Sequence, residues 1–314
     1  MFERNYFELK RIYEENAVIW PRERQRTPDG KMNLAENMTI WNSAVARLDS
    51  IQLWPEGAPG FDDRDPLQIQ PNIVFVPAQG QNGPRGTIIV AHGGGFTCHA
   101  GHEGFHVALR FADYGFNTAV LTYRLAPAYT RRDAMADMSR AIRVLRSRKE
   151  ELGINDKIAV LGFSAGGMLS GNCATHYDAG DPNAADPAER FSSRPDAAVL
   201  CYGAFATTAF PQGIMRSTFG DKDRAEKIYL APENNVTPDT PPFFIWQTIS
   251  DDPRNAFTLG QRLTEVGVPF DLHCFETGHH GVGLADGHDD SGFNDDHLKK
   301  WADLCASWLR VHGL

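Results

Sequence analysis

The chain has 314 residues, 42% of them hydrophobic and 23% charged, with a formal net charge of −9. This is an ordinary globular composition, long enough to bury one large α/β core or two smaller ones. An acidic chain without a basic tract repels phosphate backbones and anionic lipid, so nucleic acid and membrane surfaces are not expected partners. The five cysteines (Cys98, Cys173, Cys201, Cys274, Cys305) are scattered and lack CxxC spacing, which favours small buried hydrophobes over disulfides or metal ligands.

In chain order, the first ten residues, MFERNYFELK, carry charges where a signal peptide needs an apolar run, and no stretch approaches a membrane span. A cytoplasmic protein is expected. Residues 1–48 are unlike the rest. Phe2, Tyr6, Leu9, Ile12 and Tyr13 fall at helical spacing, which predicts an N-terminal helical extension. Such a helix packs on the main body, covers the mouth of a site or meets a second copy in a homo-oligomer, and the packing role is the ordinary one. The stretch WPEGAPG (54–60) is a predicted linker, and residues 49–314 form the predicted main domain.

From about residue 70, short β-branched runs alternate with helical ones. The predicted strands are NIVFV (72–76), TIIVA (87–91), NTAVLTY (117–123), KIAVLGF (157–163), AAVLCY (197–202), PFFIWQTI (242–249) and FDLHCF (270–275). Predicted helices lie near 103–114, 134–152, 165–177, 255–266 and 295–311, with Met135, Met138, Ile142, Leu145 and Leu152 lining one face of the second. Apolar strands separated by helices specify an α/β fold with a mostly parallel central sheet flanked by helices. Insertions at 178–196 and 203–241 have the size of lids or substrate-binding walls.

Chemistry concentrates at three places. Gly162-Phe163-Ser164-Ala165-Gly166 has G-x-S-x-G spacing between a predicted strand and a predicted helix. At such a turn a serine hydroxyl is lifted above the sheet, and the flanking glycines remove side chains that would collide. The plain alternative is a glycine-rich turn whose serine caps a helix. His92-Gly93-Gly94-Gly95-Phe96 follows another strand, and the N–H groups of Gly94 and Gly95, with that of Ala165, are candidates for an oxyanion hole. The rival reading, a phosphate loop, lacks a following Lys-Ser/Thr and a GxGxxG pattern. An acid and a base are then expected after later strands, and both appear as doublets: Asp251 or Asp252, and His279 or His280. His92, His99, His102, His106 and the run HDDSGFNDDH (288–297) lack HExxH spacing. They predict no catalytic metal, and the run is an ordinary solvated loop and helix cap.

These motifs resemble the BD-FAE-like branch of the α/β-hydrolases, which includes acetylxylan esterases and other carbohydrate esterases. The likeness runs from about Leu53 to Leu314 and rests on LWPEGAPG (53–60), HGGGF (92–96), HEG (102–104), YRLAP (123–127), GFSAGG (162–167), VTPDTPPFF (236–244) and GHHGVGLA (278–285). HGGGF and GFSAGG mark the superfamily; WPEGAPG, HEG and VTPDTPP are the more specific set. The resemblance implies an α/β-hydrolase fold over 49–314, with 1–48 outside it. It also implies a serine esterase that acts on short acyl esters of sugars, with no cofactor. Its acid, the second carboxylate of a T-A-D-D-like run, corresponds to Asp252, and its histidine, preceding a G-x-G-L-A-like run, to His280. Relatives continue the acid motif with Val-Pro, where this chain has Pro253-Arg254. The implied catalytic set is Ser164, Asp252 and His280, and the partner is a small-molecule or oligosaccharide ester. Phe96, Phe163 and Phe205 are candidates to limit acyl length. A general carboxylesterase is the alternative. A propeller-bearing peptidase would need more chain, and a non-enzymatic binding protein would be expected to have lost a triad member.

Overall fold

The computed structural model describes residues 2–16, 27, 29, 33–80, 85–206, 224–289 and 291–314. At its centre is an eight-stranded sheet in the order β1-β2-β4-β3-β5-β6-β7-β8. The strands are β1 (Ser50–Gln52), β2 (Asn72–Val76), β3 (Arg85–Ala91), β4 (Asn117–Thr122), β5 (Ile154–Phe163), β6 (Ala197–Cys201), β7 (Phe243–Thr248) and β8 (Phe270–Phe275). β2 runs antiparallel to β1 and β4, and every pairing from β4 to β8 is parallel. The seven predicted strands are all present. The three-residue β1 is a further edge strand that no apolar run announced.

β2, β4, β6 and β7 are buried along their whole length, as strands covered on both faces require. Alternate side chains feed two cores. Ile73, Phe75, Ile89 and Leu121 enter one, and Val74, Val76, Ile88 and Val90 the other. Helices α4 (Arg131–Ser147), α6 (Ala165–Thr175) and α8 (Arg254–Val266) cover the first face, while α3 (Phe105–Asp113) and α9 (Trp301–Val311) cover the second. Between these lie the short α5 (Lys149–Leu152) and α7 (Arg224–Leu230). Order, direction and layering are those of the α/β-hydrolase fold.

The N-terminal segment supplies two helices, α1 (Glu3–Asn16) and α2 (Leu34–Ala46), where the sequence predicted one. Tyr6, Leu9 and Ile12 of α1, and Ile40, Trp41, Ala44 and Val45 of α2, are buried in the second core. Trp41 is fully buried and donates its indole N–H to Thr122 Oγ1 at 3.0 Å. Its ring stacks on His99 at 4.4 Å, while Asn37 brackets His99, donating to its carbonyl at 2.7 Å and accepting from its N–H at 2.8 Å. Thus α2 presses on the segment between β3 and α3, which carries the glycine loop.

Two expectations are corrected here. The stretch 54–60 is a packed loop rather than a linker. Ala58 N–H donates to Gln70, Arg124 donates to the Pro59 carbonyl, and the Trp54 ring lies 5.5 Å from the Arg124 guanidinium. The insertion 178–196 is not a lid. Arg140 binds Asp186 and Glu189, and Arg146 binds Asp196, so it is pinned against α4. Within the insertion 203–241, residues 207–223 lie outside the described residues, and Arg132 ties α7 to α4 through Glu226.

Candidate functional site

The strand β5 ends at Phe163 and α6 begins at Ala165, which leaves Ser164 alone at the turn with φ 51° and ψ −114°. A β-carbon on Gly162 would lie 2.0 Å from the Gly166 carbonyl oxygen, and one on Gly166 would lie 2.1 Å from that of Ala91. Both flanking positions are therefore glycine for steric reasons, and the strained serine is held by an N–H···O bond to Cys201 at 2.9 Å. Its Oγ lies 2.7 Å from His280 Nε2.

The carboxylate behind that histidine is Asp251, whose Oδ2 lies 2.7 Å from His280 Nδ1. Asp252, the residue implied by the family motif, is turned away. After β7, a single 3₁₀ turn (Ile249–Asp251) directs Asp251 toward the histidine loop, and Asp252 then takes a left-handed backbone with φ 49°. There Arg254 grips it with two bonds of 2.6 Å. Arg254, where this chain departs from a Val-Pro continuation, gives Asp252 a partner of its own. That partner also holds Asp252 below the usual carboxylate range.

His280 sits on the loop after β8. Gly278 precedes it with φ 105°, and a β-carbon there would meet Leu298 at 2.7 Å. Ser250 Oγ donates to the Gly278 carbonyl at 2.6 Å, which stitches the acid loop to the histidine loop. Desolvation by the surrounding loops lowers the imidazole pKa. The hydrogen bond and charge of Asp251, with the charge of Glu103, more than offset this and raise it above the ordinary histidine value. His279 points elsewhere, with Nε2 2.9 Å from Ser291 Oγ.

The glycine loop runs through successive left-handed residues, Gly94 (φ 114°), Gly95 (φ 59°) and Phe96 (φ 62°). A β-carbon on Gly94 would lie 2.2 Å from the Cys98 carbonyl oxygen, whereas one on Gly95 would meet only Thr97 Oγ1 at 3.9 Å. Gly94 and Gly95 line, with Ser164 and His280, a cavity of about 410 Å³ whose wall also includes His102, Glu103, Asp289 and Ser291. Ala165 follows the serine at the first position of α6, where a helix N–H has no intrahelical partner. Among the described residues, no acceptor is bonded to the N–H groups of Gly94, Gly95 or Ala165. Phe96, Phe163 and Phe205 do not form the mouth. All three are buried in the core, away from the cavity lining.

One part of the site had no role in the sequence reading. Glu103 is 2% exposed, accepts from Gly93 N–H at 2.8 Å, and accepts from the Tyr202 hydroxyl at 2.6 Å. Tyr202 in turn accepts from Gly283 N–H at 2.9 Å, and His102 Nε2 donates to the Gly281 carbonyl at 2.8 Å. A buried carboxylate thus links the glycine loop to the histidine loop. The motif HEG was visible, but nothing in its spacing told which backbone groups the glutamate would hold.

As a chemical device, the chain Asp251–His280–Ser164 can draw a proton from the serine hydroxyl and hold the imidazole in the tautomer that accepts it. The unbonded N–H groups beside it can receive a developing oxyanion.

Comparisons with known proteins agree with this fold. Residues 74–254 match the BD-FAE family model. An acetyl ester-xyloside bifunctional hydrolase from Caldicellulosiruptor lactoaceticus is 35% identical in sequence and superposes with a TM-score of 0.76, covering 84% of this chain and 96% of that one. Endo-1,4-beta-xylanase B of Butyrivibrio fibrisolvens is 30% identical over 227 residues, 69% of this chain and 34% of the relative. The probable carboxylic ester hydrolase LipM of Mycobacterium tuberculosis is 29% identical over 188 residues, 52% of this chain and 43% of the relative. The chain thus spans well under half the length of these two curated relatives. Among the described residues, no helix is long and apolar enough to cross a membrane. The chain belongs to the BD-FAE family of the α/β-hydrolases.

Proposed function

We propose that this protein is a serine carboxylesterase working through an acyl-enzyme. The observation that carries the reading is the pair of 2.7 Å contacts joining Ser164 to His280 and His280 to Asp251 at the wall of one cavity. Ser164 attacks the ester carbonyl as His280 takes its proton, and Asp251 keeps Nδ1 protonated and stabilises the imidazolium. The carbonyl oxygen, now negative, accepts from the N–H groups of Gly94, Gly95 and Ala165. His280 returns the proton to the departing alcohol, and water clears the acyl group by the same path. No step calls for a cofactor or metal.

The preferred substrates are acetyl esters on sugars, such as acetylated xylo-oligosaccharides. Two observations support this: the acetyl ester-xyloside hydrolase is 35% identical, and polar side chains (His102, His279, Asp289, Ser291) line the cavity. A general carboxylesterase is the second reading, favoured by the likeness to LipM. Ser164→Ala should lower kcat by about 10⁴-fold or more, and a fluorophosphonate adduct should map to Ser164 by mass spectrometry. An adduct elsewhere, or near-normal turnover in the variant, refutes the mechanism. A panel of acetyl to octanoyl esters beside acetylated xylo-oligosaccharides separates the two readings. A steep fall beyond acetyl with acetate released from the sugars supports the first, and a flat profile without acetate release supports the second.

A further inference from the structure

Beyond the catalytic cavity, α3 and the loop after the catalytic histidine approach one another around a second group of side chains. His106 Nε2 lies 2.8 Å from Asp286 Oδ2, and His288 Nδ1 lies 3.1 Å from Asp286 Oδ1. The three ligand atoms lie within 4.8 Å of one another, and the two imidazole rings are 4.3 Å apart. We propose that His106, Asp286 and His288 form a binding site for a late first-row divalent cation such as zinc, separate from the esterase centre.

Donor spacing supports this. Two donors on a tetrahedral zinc, each about 2.0–2.1 Å from the metal, sit about 3.3 Å apart. This is close to the 2.8 and 3.1 Å separations from Asp286 to the two histidines, while the two imidazoles draw together around the metal by rotation of their side chains. Two imidazoles with one carboxylate select zinc-like ions over calcium or magnesium, which take oxygen ligands. Metal entry displaces the proton that each imidazole N–H shares with the Asp286 carboxylate, so binding releases protons and strengthens as pH rises. A fourth position faces a cavity of about 180 Å³ lined by Lys10, Tyr13, His106, Arg110 and His288, large enough for a metal-bound water. The buried Tyr13 hydroxyl also stands in that wall.

Positive charge nearby sets the strength. Arg110 Nη2 donates to Asp286 Oδ2 at 3.2 Å from a side chain that is 40% exposed, and Lys10 stands on the cavity rim. Arg110 stays as the outer partner of the carboxylate, and the two cations limit affinity to the micromolar range. The consequence is mechanical. His288 directly precedes Asp289, which with Ser291 lines the catalytic cavity wall. A metal here staples that wall to α3.

The test is calorimetric titration of the metal-free, untagged full chain with zinc chloride, paired with thermal unfolding. The expected result is one equivalent bound with micromolar Kd and a rise in Tm. His288→Asn and His106→Asn should weaken binding by about 100-fold or more and abolish the Tm rise, while His280→Asn leaves both intact. His288 is half-exposed, so its variant should fold, and circular dichroism checks both. No binding at about 100 µM zinc overturns the site. So does binding that survives both variants but disappears with His280→Asn, because the metal would then sit on the catalytic histidine.

Discussion

Replacing Asp251 and Asp252 separately by asparagine tests the geometry of the acid most directly. Asp251 accepts a 2.7 Å bond from His280 Nδ1, whereas Asp252 touches Arg254 and not the imidazole. An asparagine at 251 that keeps its oxygen toward Nδ1–H preserves the tautomer and loses only the charge. Hydrogen bonds to charged groups are worth about 1.5–3 kcal/mol against about 0.5–1.5 for neutral ones, so this case costs about tenfold in rate. One that turns its NH₂ toward the ring forces the proton onto Nε2, which then cannot accept from Ser164, and the loss approaches 10⁴-fold. A fall in kcat between these bounds, about 10- to 10⁴-fold or about 1.4–5.5 kcal/mol at 1.36 kcal/mol per decade, is the expected outcome. Asp252→Asn gives up an ion pair with an arginine whose side chain is 71% exposed, worth at most about 1 kcal/mol of loop stability. Its kcat should stay within about threefold of the parent. Steady-state hydrolysis of p-nitrophenyl acetate, with circular dichroism to confirm folding, makes the comparison. A larger loss from Asp252→Asn than from Asp251→Asn would refute the assignment.

Three other outcomes are expected. Because the pKa of His280 is raised and the base must be unprotonated, kcat/KM should rise with pH through a midpoint above the ordinary histidine value of about 6.5; a midpoint at or below that value contradicts the charge balance. Glu103→Gln places an NH₂ against Gly93 N–H or the Tyr202 hydroxyl, leaving a donor unpaired at about 1–3 kcal/mol. It should lower kcat about 10–100-fold with little change in KM and move the acid limb of the pH profile downward; an unmoved limb with normal kcat would make the glutamate merely structural. Trp41→Ala should cost about 3–5 kcal/mol in urea unfolding, while Phe7→Ala, at a side chain 66% exposed, stays within about 0.5 kcal/mol.

The parts of this molecule legible in its sequence are those where residue type alone carries the constraint. Strands buried on both faces must be continuous apolar runs, and NIVFV and FFIWQT announce themselves as such. The serine turn is legible because a β-carbon at 162 or 166 would lie 2.0 or 2.1 Å from a backbone oxygen, deep inside van der Waals contact, so glycine is the only residue that fits. The helix Leu34–Ala46 is not legible in the same way. Its Thr39, Asn42 and Ser43 are weak helix formers, and the pattern is overridden by packing of Trp41 against His99 and Phe105. Likewise β1 is three residues long and owes its existence to pairing with β2.

The acid shows where sequence reasoning runs out. Adjacent aspartates offer the same chemistry, so the choice between them lies in backbone direction, which residue type does not encode. Motif resemblance selected the second of the pair on the assumption that the loop keeps the family's path. In this chain the 3₁₀ turn ends at Asp251, the left-handed residue is Asp252, and Arg254 is placed to hold it. The Pro253-Arg254 pair was visible in the sequence as a departure, and its physical effect is to supply a cation two residues past the doublet. An ion pair between near neighbours closes almost no loop, so it captures Asp252 at little entropic cost. The carboxylate without such a partner is the one free to serve the histidine.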